Sequence, residues 1–397
     1  MKNRGWGAVA LAAVQVMGLG TLYAWSVLIG PVQSHFDVDR TATGLVFSVS
    51  IAVFTLAVMA APRLFAAQRL SVVGTIACFL GAGGLAAAAV APTFAVFVLS
   101  YGGLFAAASG LGYSAGLQMA VASGVSRTGL ATGVIVATFA LGAVILGPMM
   151  GHVSASGALK AALFIPAVLL AGVGVLSLWV QRACTGLDAA FAERDTPSKA
   201  QGNGAAPSNT RLTWLLWWGF ATGAAGGLMV LGHAAGIIAE QGGSVAVAGI
   251  AVSMIAVGNA TGRLTSGAIA DRLGPRTVLL LAALMLGVAT GMMAMGVSIV
   301  VSVVALAVTG LSYGVMATGY PVAVHRFYGA TQFASVYGRV FTAWGIAGLI
   351  SPFVAGWMFD NTGSYSFALL LATGSAIISA LTALMFPGRS QRATSEA

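Results

Sequence analysis

The chain has 397 residues, of which 58% are apolar and 7% charged, with a mean hydropathy of +0.95, whereas soluble domains carry roughly 25% charged residues. Water is therefore excluded as the solvent for most of the surface, and the length accommodates about twelve bilayer-spanning helices at about 30 residues per helix and loop. The net charge of +9 sits between the apolar runs, a pattern that reports membrane orientation and not nucleic-acid binding.

In chain order, Lys2 and Arg4 precede an apolar run over 6–29 that is too long for a signal peptide and has no clear cleavage site, so it is read as a retained first span. Further runs fall near 41–62, 69–90, 93–120, 126–150 and 157–181. A second set of six falls near 212–239, 243–270, 276–296, 298–323, 330–357 and 363–387. The expected fold is an all-α membrane protein of twelve transmembrane helices in two pseudo-symmetric six-helix bundles, residues 1–181 and 212–397. Between them, 182–211 holds seven of the 27 charged residues and a Gly/Pro/Ser/Asn-rich middle, and reads as a cytoplasmic linker.

With the first end inside, fourteen Lys/Arg fall in cytoplasmic segments and only Arg40 and Lys160 outside. That asymmetry puts both termini in the cytoplasm of a cell (inner) membrane and agrees with an even number of spans. Cys78 lies in an apolar run and Cys184 in a polar loop, neither with metal-ligand spacing, so no disulfide, metal or cofactor is expected. The two sets of spans also resemble each other. Gly110-Leu-Gly-Tyr113-Ser matches Gly310-Leu-Ser-Tyr313-Gly, and Gly147-Pro148 faces Ser351-Pro352, as parallel repeats around a mid-membrane site predict.

Between the eighth and ninth runs, Gly267-Ala-Ile-Ala-Asp271-Arg272-Leu-Gly274-Pro-Arg276 closely resembles the loop signature of the major facilitator superfamily. The resemblance implies a gating role for Asp271, Arg272 and Arg276. The matching place in the first half, Ala60 to Arg69, lacks the acid and the glycine, so the latch rests mainly on the second half. Gly20-Thr-Leu-Tyr23-Ala-Trp25-Ser26-Val, Gly258-Asn259-Ala-Thr-Gly262-Arg263, Phe341-Thr-Ala-Trp344-Gly and Asp360-Asn-Thr-Gly363-Ser-Tyr365 are similar to the oxalate/formate antiporter and monocarboxylate transporter branch. In that branch the arginine of the eighth span binds the substrate carboxylate, a role the resemblance carries to Arg263. Oxalate exchangers have a lysine in the eleventh span where Trp344 stands here, and one cation in place of two favours a monocarboxylate. Gly147-Pro148-Met-Met-Gly151 is similar in part to an antiporter motif, though a proline kink with close helix contacts explains it equally.

Apart from any family, Arg263 lies eight residues before Asp271, about 12 Å inside the cytoplasmic boundary at 1.5 Å per residue. A charge at that depth is costly unless it faces a wet cavity or a partner, and a guanidinium matches a carboxylate bidentately. Asn259, four residues earlier, shares its face and serves either the substrate or a helix-helix hydrogen bond. Tyr113 and Tyr313 occupy equivalent places, where a phenol can donate to an anion. Phe341 and Trp344 lie on one face of the eleventh run with Tyr337, either lining a cavity or packing. No Asp or Glu lies mid-span, so proton coupling falls to Glu240 at the end of the seventh span, alternatively a solvated loop acid, and to His233, alternatively a helix-helix contact. Arg339 is either a second anion contact or a side chain reaching for headgroups.

These features predict a secondary transporter, not an enzyme: a proton-coupled symporter of a lactate- or pyruvate-like anion working by alternating access. Its partners are a small organic anion, protons and membrane lipid, with no nucleic acid, and the fold commonly works as a monomer. A proton carried with the anion leaves a nearly neutral loaded cavity. Exchange of two organic anions is the alternative. A cationic-drug exporter fits less well, because it needs a membrane-embedded acid.

Overall fold

The computed structural model describes residues 2–65, 70–155, 157–183 and 210–387, which are helical almost throughout and contain no strand. Residues 184–209, most of the expected linker, lie outside the described residues, as do Cys184, Arg69, Arg194, Lys199, Arg389 and Arg392. Eleven helices among the described residues are long and apolar enough to cross a membrane. The longest, Ile299–Thr362, is broken at Gly329 (φ 73°, ψ 179°), and counting it as two gives twelve spans. Helices suit this setting because each satisfies its own backbone where no water can.

The chain clusters into two compact units, residues 1–200 with 330–338 and residues 201–329 with 339–397. In the first, α1 (Lys2–Leu19) runs into a 3₁₀ segment (Gly20–Val27) and α2 (Ile29–Phe36). Then come α3 (Arg40–Phe65), α4 (Leu70–Ala89), α5 (Phe94–Phe97) with a π segment (Val98–Phe105), α6 (Ala106–Ala122), α7 (Thr128–Ala155) and α8 (Leu159–Ala183). Small residues let these helices touch. A Cβ on Gly20 would strike the Phe139 carbonyl and one on Gly142 the Met17 carbonyl, while Gly147 and Gly151 face Ala24 and Val27 at 3.5 and 3.3 Å. Gly147 and Gly151 thus lie in van der Waals contact with the segment that follows α1. Buried Gln15 crosses to Ser177 at 3.0 Å and Thr75 at 3.5 Å, polar ties of the sort that hold helices together in lipid.

The second unit holds α9 (Thr210–Glu240), α10 (Val245–Leu273), α11 (Pro275–Ala294), α12 (Ile299–Thr362) and α13 (Ser366–Leu384). The α10–α11 turn follows from its sequence: Gly274 takes φ 86° and its N–H caps Ala270, and Pro275 starts the next helix, where a missing N–H costs nothing. Asp271, Arg272 and Arg276 flank that turn. The anticipated loop over 324–329 is absent, because helix continues to the one left-handed residue, Gly329, a conformation that glycine adopts at no steric cost.

Candidate functional site

The site of the second unit begins with glycines. A Cβ on Gly258 would strike the Ala307 carbonyl and, at 2.9 Å, the Leu311 nitrogen. One on Gly262 would strike the Leu311 carbonyl and, at 2.8 Å, the Val315 nitrogen. Reciprocally, Gly310 and Gly314 lie against the carbonyls of Ile255 and Asn259. Both helices therefore carry the small-xxx-small spacing that lets backbones meet. Asn259 and Arg263 each follow a glycine by one residue, about 100° round α10; Asn259 lies against Gly314 and Arg263 against the Tyr313 ring.

Arg263 is only 4% exposed. Its Nε donates to Asn259 Oδ1 at 2.9 Å, its Cζ lies 5.9 Å from the centre of the Tyr313 ring, and its backbone carbonyl accepts from Thr318 Oγ1 at 3.2 Å. With Nε committed, a bidentate grip on a carboxylate uses the two Nη atoms. From beyond Gly329, Trp344 Nε1 donates to the Tyr313 hydroxyl at 2.7 Å. Tyr313 lies 16 residues before that glycine and Trp344 lies 15 after it, so the two halves of α12 fold back antiparallel. The Tyr313 hydroxyl, already accepting, keeps its own proton to give, and no acceptor for it occurs among the described residues. Phe341 stacks on Trp344 (centroids 5.1 Å) and meets Phe220 at 6.3 Å, which itself stacks on Tyr320 at 4.5 Å. The result is a cation, two oriented donors and an aromatic wall on α9, α10 and the two halves of α12, all in one unit.

Glu240 and His233 form a second group. Eight residues beyond Trp344, about 12 Å along the helix, the Pro352 carbonyl meets His233 Nε2 at 2.9 Å, and His233 Nδ1 meets the Tyr365 hydroxyl at 3.2 Å. Glu240 Oε2 accepts the Tyr365 backbone N–H at 2.8 Å. Burial, then the charges of Glu240 and Asp360, push the Tyr365 phenol up, so it remains a proton donor. A cavity of about 10 Å³ beside His233 and Tyr365 has room for no more than a water.

Tyr113 belongs to the first unit, packed on Phe139 at 5.1 Å and Phe54 at 5.7 Å, with Tyr23 on Phe139 at 5.1 Å. Trp25 is 3% exposed and faces Tyr101 at 5.2 Å. Tyr337 falls in the 330–338 stretch and stacks on Phe333 at 5.4 Å. Arg339 is exposed. Sequence reasoning missed Thr318 and the hub position of Tyr365. Nothing in the Thr318 pattern marks it, while the only signal at Tyr365 is the family resemblance of the Asp360–Tyr365 stretch. Among the described residues no group of His, Cys, Asp and Glu has the makings of a metal site, and Cys78 is a buried free thiol.

The architecture is the major facilitator fold, and residues 222–396 match the family described as Major Facilitator Superfamily. The chain is 27% identical over 377 residues to the "Uncharacterized 38 kDa protein in 23S RNA operon" of Thermoproteus tenax, covering 95% of this chain and 94% of that one. It is 24% identical over 364 residues to the "Uncharacterized MFS-type transporter YhjX" of Escherichia coli, covering 87% and 86%. A segment of 68 residues is 37% identical to "Monocarboxylate transporter 12" of Rattus norvegicus, covering 17% and 14%. Among solved structures, the chain superposes on the MFS transporter FucP in the outward conformation with a TM-score of 0.70 at 17% identity, covering 95% and 98%. On the human organic anion transporter MFSD10 the TM-score is 0.71 at 18% identity, covering 96% and 99%. Together these show the fold of major facilitator transporters, built on eleven helices long and apolar enough to cross a membrane among the described residues.

Proposed function

We propose that the chain is a secondary transporter carrying a small organic monocarboxylate, of lactate or pyruvate size, with a proton by alternating access. The observation that carries this is the buried Arg263, oriented by Asn259 and lying beneath a Tyr313 whose hydroxyl proton has no acceptor among the described residues. An anion in the membrane interior needs a fixed countercharge and donors. Arg263 supplies the first, Arg263 and Tyr313 supply the second, and Phe341 and Trp344 cover a short apolar tail.

One guanidinium neutralises one carboxylate, which favours a monoanion over a dianion. Moving that anion alone against a membrane potential costs about 2.3 kcal/mol per 100 mV, and a proton travelling with it removes that cost. Glu240 and His233 are the groups on this unit suited to receive the proton. The short match to a monocarboxylate transporter lends support. In this reading Tyr113 serves the substrate from the first unit, Asp271, Arg272 and Arg276 serve the cytoplasmic latch, and the protein works as a monomer with both termini in the cytoplasm of the inner membrane.

The test is uptake into proteoliposomes. Symport predicts that labelled lactate or pyruvate accumulates when an inward pH gradient is imposed, and that dicarboxylates compete poorly. Uptake that ignores the gradient and requires anion preloaded on the far side indicates exchange of two organic anions instead.

A further inference from the structure

We propose that Tyr365 is a positioning residue that joins Glu240 and His233 into one proton-responsive clasp fastening α9, α12 and α13 at their outer ends. The inference rests on the proton-coupled reading above and deepens it.

Chemistry fixes the directions of the three ties. The Pro352 carbonyl can only accept, so His233 Nε2 carries the hydrogen of that 2.9 Å bond. In the neutral ring Nδ1 is then bare, and the Tyr365 hydroxyl donates to it at 3.2 Å. Glu240 Oε2 takes the Tyr365 N–H at 2.8 Å where α13 begins, and a carboxylate there complements the positive helix end. One residue thus connects α9 to α13 twice, and His233 extends the connection to α12.

Protons act on both ties in the same sense. A proton on Glu240 removes the charge from its bond to the helix start. A proton on His233 Nδ1 turns an acceptor into a donor, so this tie survives only reversed, with the phenol oxygen accepting and its own hydrogen turned elsewhere. The charged groups facing Tyr365 are Glu240 from α9 and Asp360 near the end of α12. The remaining wall of Met229, Val230, Ile237, Ala355, Ala368 and Leu369 is apolar, so the displaced hydrogen can turn only toward those two carboxylates and away from His233. The clasp is therefore closed when deprotonated and loosened by acid, and it lies at the opposite end of α10 from the Asp271–Arg276 turn.

Hydrogen exchange of residues 366–369 reads the clasp directly in the full chain in lipid nanodiscs, after correction for intrinsic pH dependence. Wild type should exchange about two- to tenfold faster near pH 5 than near pH 8, the range expected for losing one or two hydrogen bonds. Tyr365→Phe should exchange faster at the higher pH and respond less to acid. Glu240→Gln, altering an exposed side chain that keeps an acceptor, should likewise flatten the response and serves if the tyrosine variant does not fold. In proteoliposomes Tyr365→Phe should shift the pH profile of carboxylate uptake while KM stays unchanged. Wild-type exchange that is indifferent to pH overturns the clasp, as does unchanged exchange in both variants. An intact acid response in a wild type that takes up no carboxylate instead supports the clasp and sinks the transport reading.

Discussion

Arg263→Gln is the sharpest perturbation of the proposed site. The side chain is 4% exposed and already oriented by its 2.9 Å bond to Asn259, so little ordering remains to be done on binding. Two charge-assisted bonds from its Nη atoms to a carboxylate contribute about 1.5–3 kcal/mol each. The amide of glutamine returns about 1 kcal/mol through a neutral bond. The balance of roughly 2–5 kcal/mol predicts a loss of affinity of about 30- to several thousandfold. Arg263→Lys keeps the charge but not the fork and should recover only part of it. The fold should persist, because α10 meets α12 through the backbone at Gly258 and Gly262. The assay is equilibrium binding of labelled lactate and pyruvate to purified protein, with thermal unfolding alongside. Affinity in Arg263→Gln within about threefold of wild type, in a folded protein, would refute the assignment.

Other outcomes follow from the same geometry. Trp344→Phe keeps the ring on Phe341 but removes the 2.7 Å donor to Tyr313, so KM should rise about three- to tenfold; an unchanged KM would show that this bond does not orient the phenol. Gly262→Val sets a branched side chain against the Leu311 carbonyl and should lower the unfolding temperature, at a cost of about 1–3 kcal/mol or more. Gly374→Ala, where an added Cβ meets nothing within 4 Å, should raise it slightly, by about 0.5–1 kcal/mol. The reverse order of these two would contradict the packing. Tyr101→Phe deletes a fully buried hydroxyl with no hydrogen-bond partner among the described residues and should leave thermal stability unchanged or higher, whereas a clear drop would reveal a partner for it.

The spans were legible because lipid imposes one rule on every helix, a run of apolar residues about 20 long, and the runs around 6–29 and 363–387 needed no tertiary information. Arg263 was legible for the complementary reason that a charge in such a run is costly and so conspicuous. The pairing of Phe341 with Trp344 followed from helical spacing, since i and i+3 share a face. What spacing could not convey was direction. Nothing in it says that Trp344 turns its N–H toward a phenol 31 residues away or that Glu240 caps a helix 125 residues later. Both are contacts between distant segments, set by how helices cross. The expected loop at 324–329 failed for a local reason: a single glycine at φ 73° suffices where about six residues were anticipated.

The glycines explain why the second unit can hold a charge so close to its core. In lipid no hydrophobic force draws two helices together, so close contact has to come from small residues and short polar ties. Gly258, Gly262, Gly310 and Gly314 bring α10 and α12 to backbone contact, and the residues one step round the helices follow: Arg263 bonds Asn259 and lies 5.9 Å from the centre of the Tyr313 ring. Bulkier residues at those four positions would push the helices apart and leave the guanidinium without the ring 5.9 Å away that helps to balance it. The same stripe thus serves stability and recognition together. For that reason Gly262→Val, although it touches no proposed substrate group, should weaken anion binding as well as folding, and variants at Gly374 should do neither.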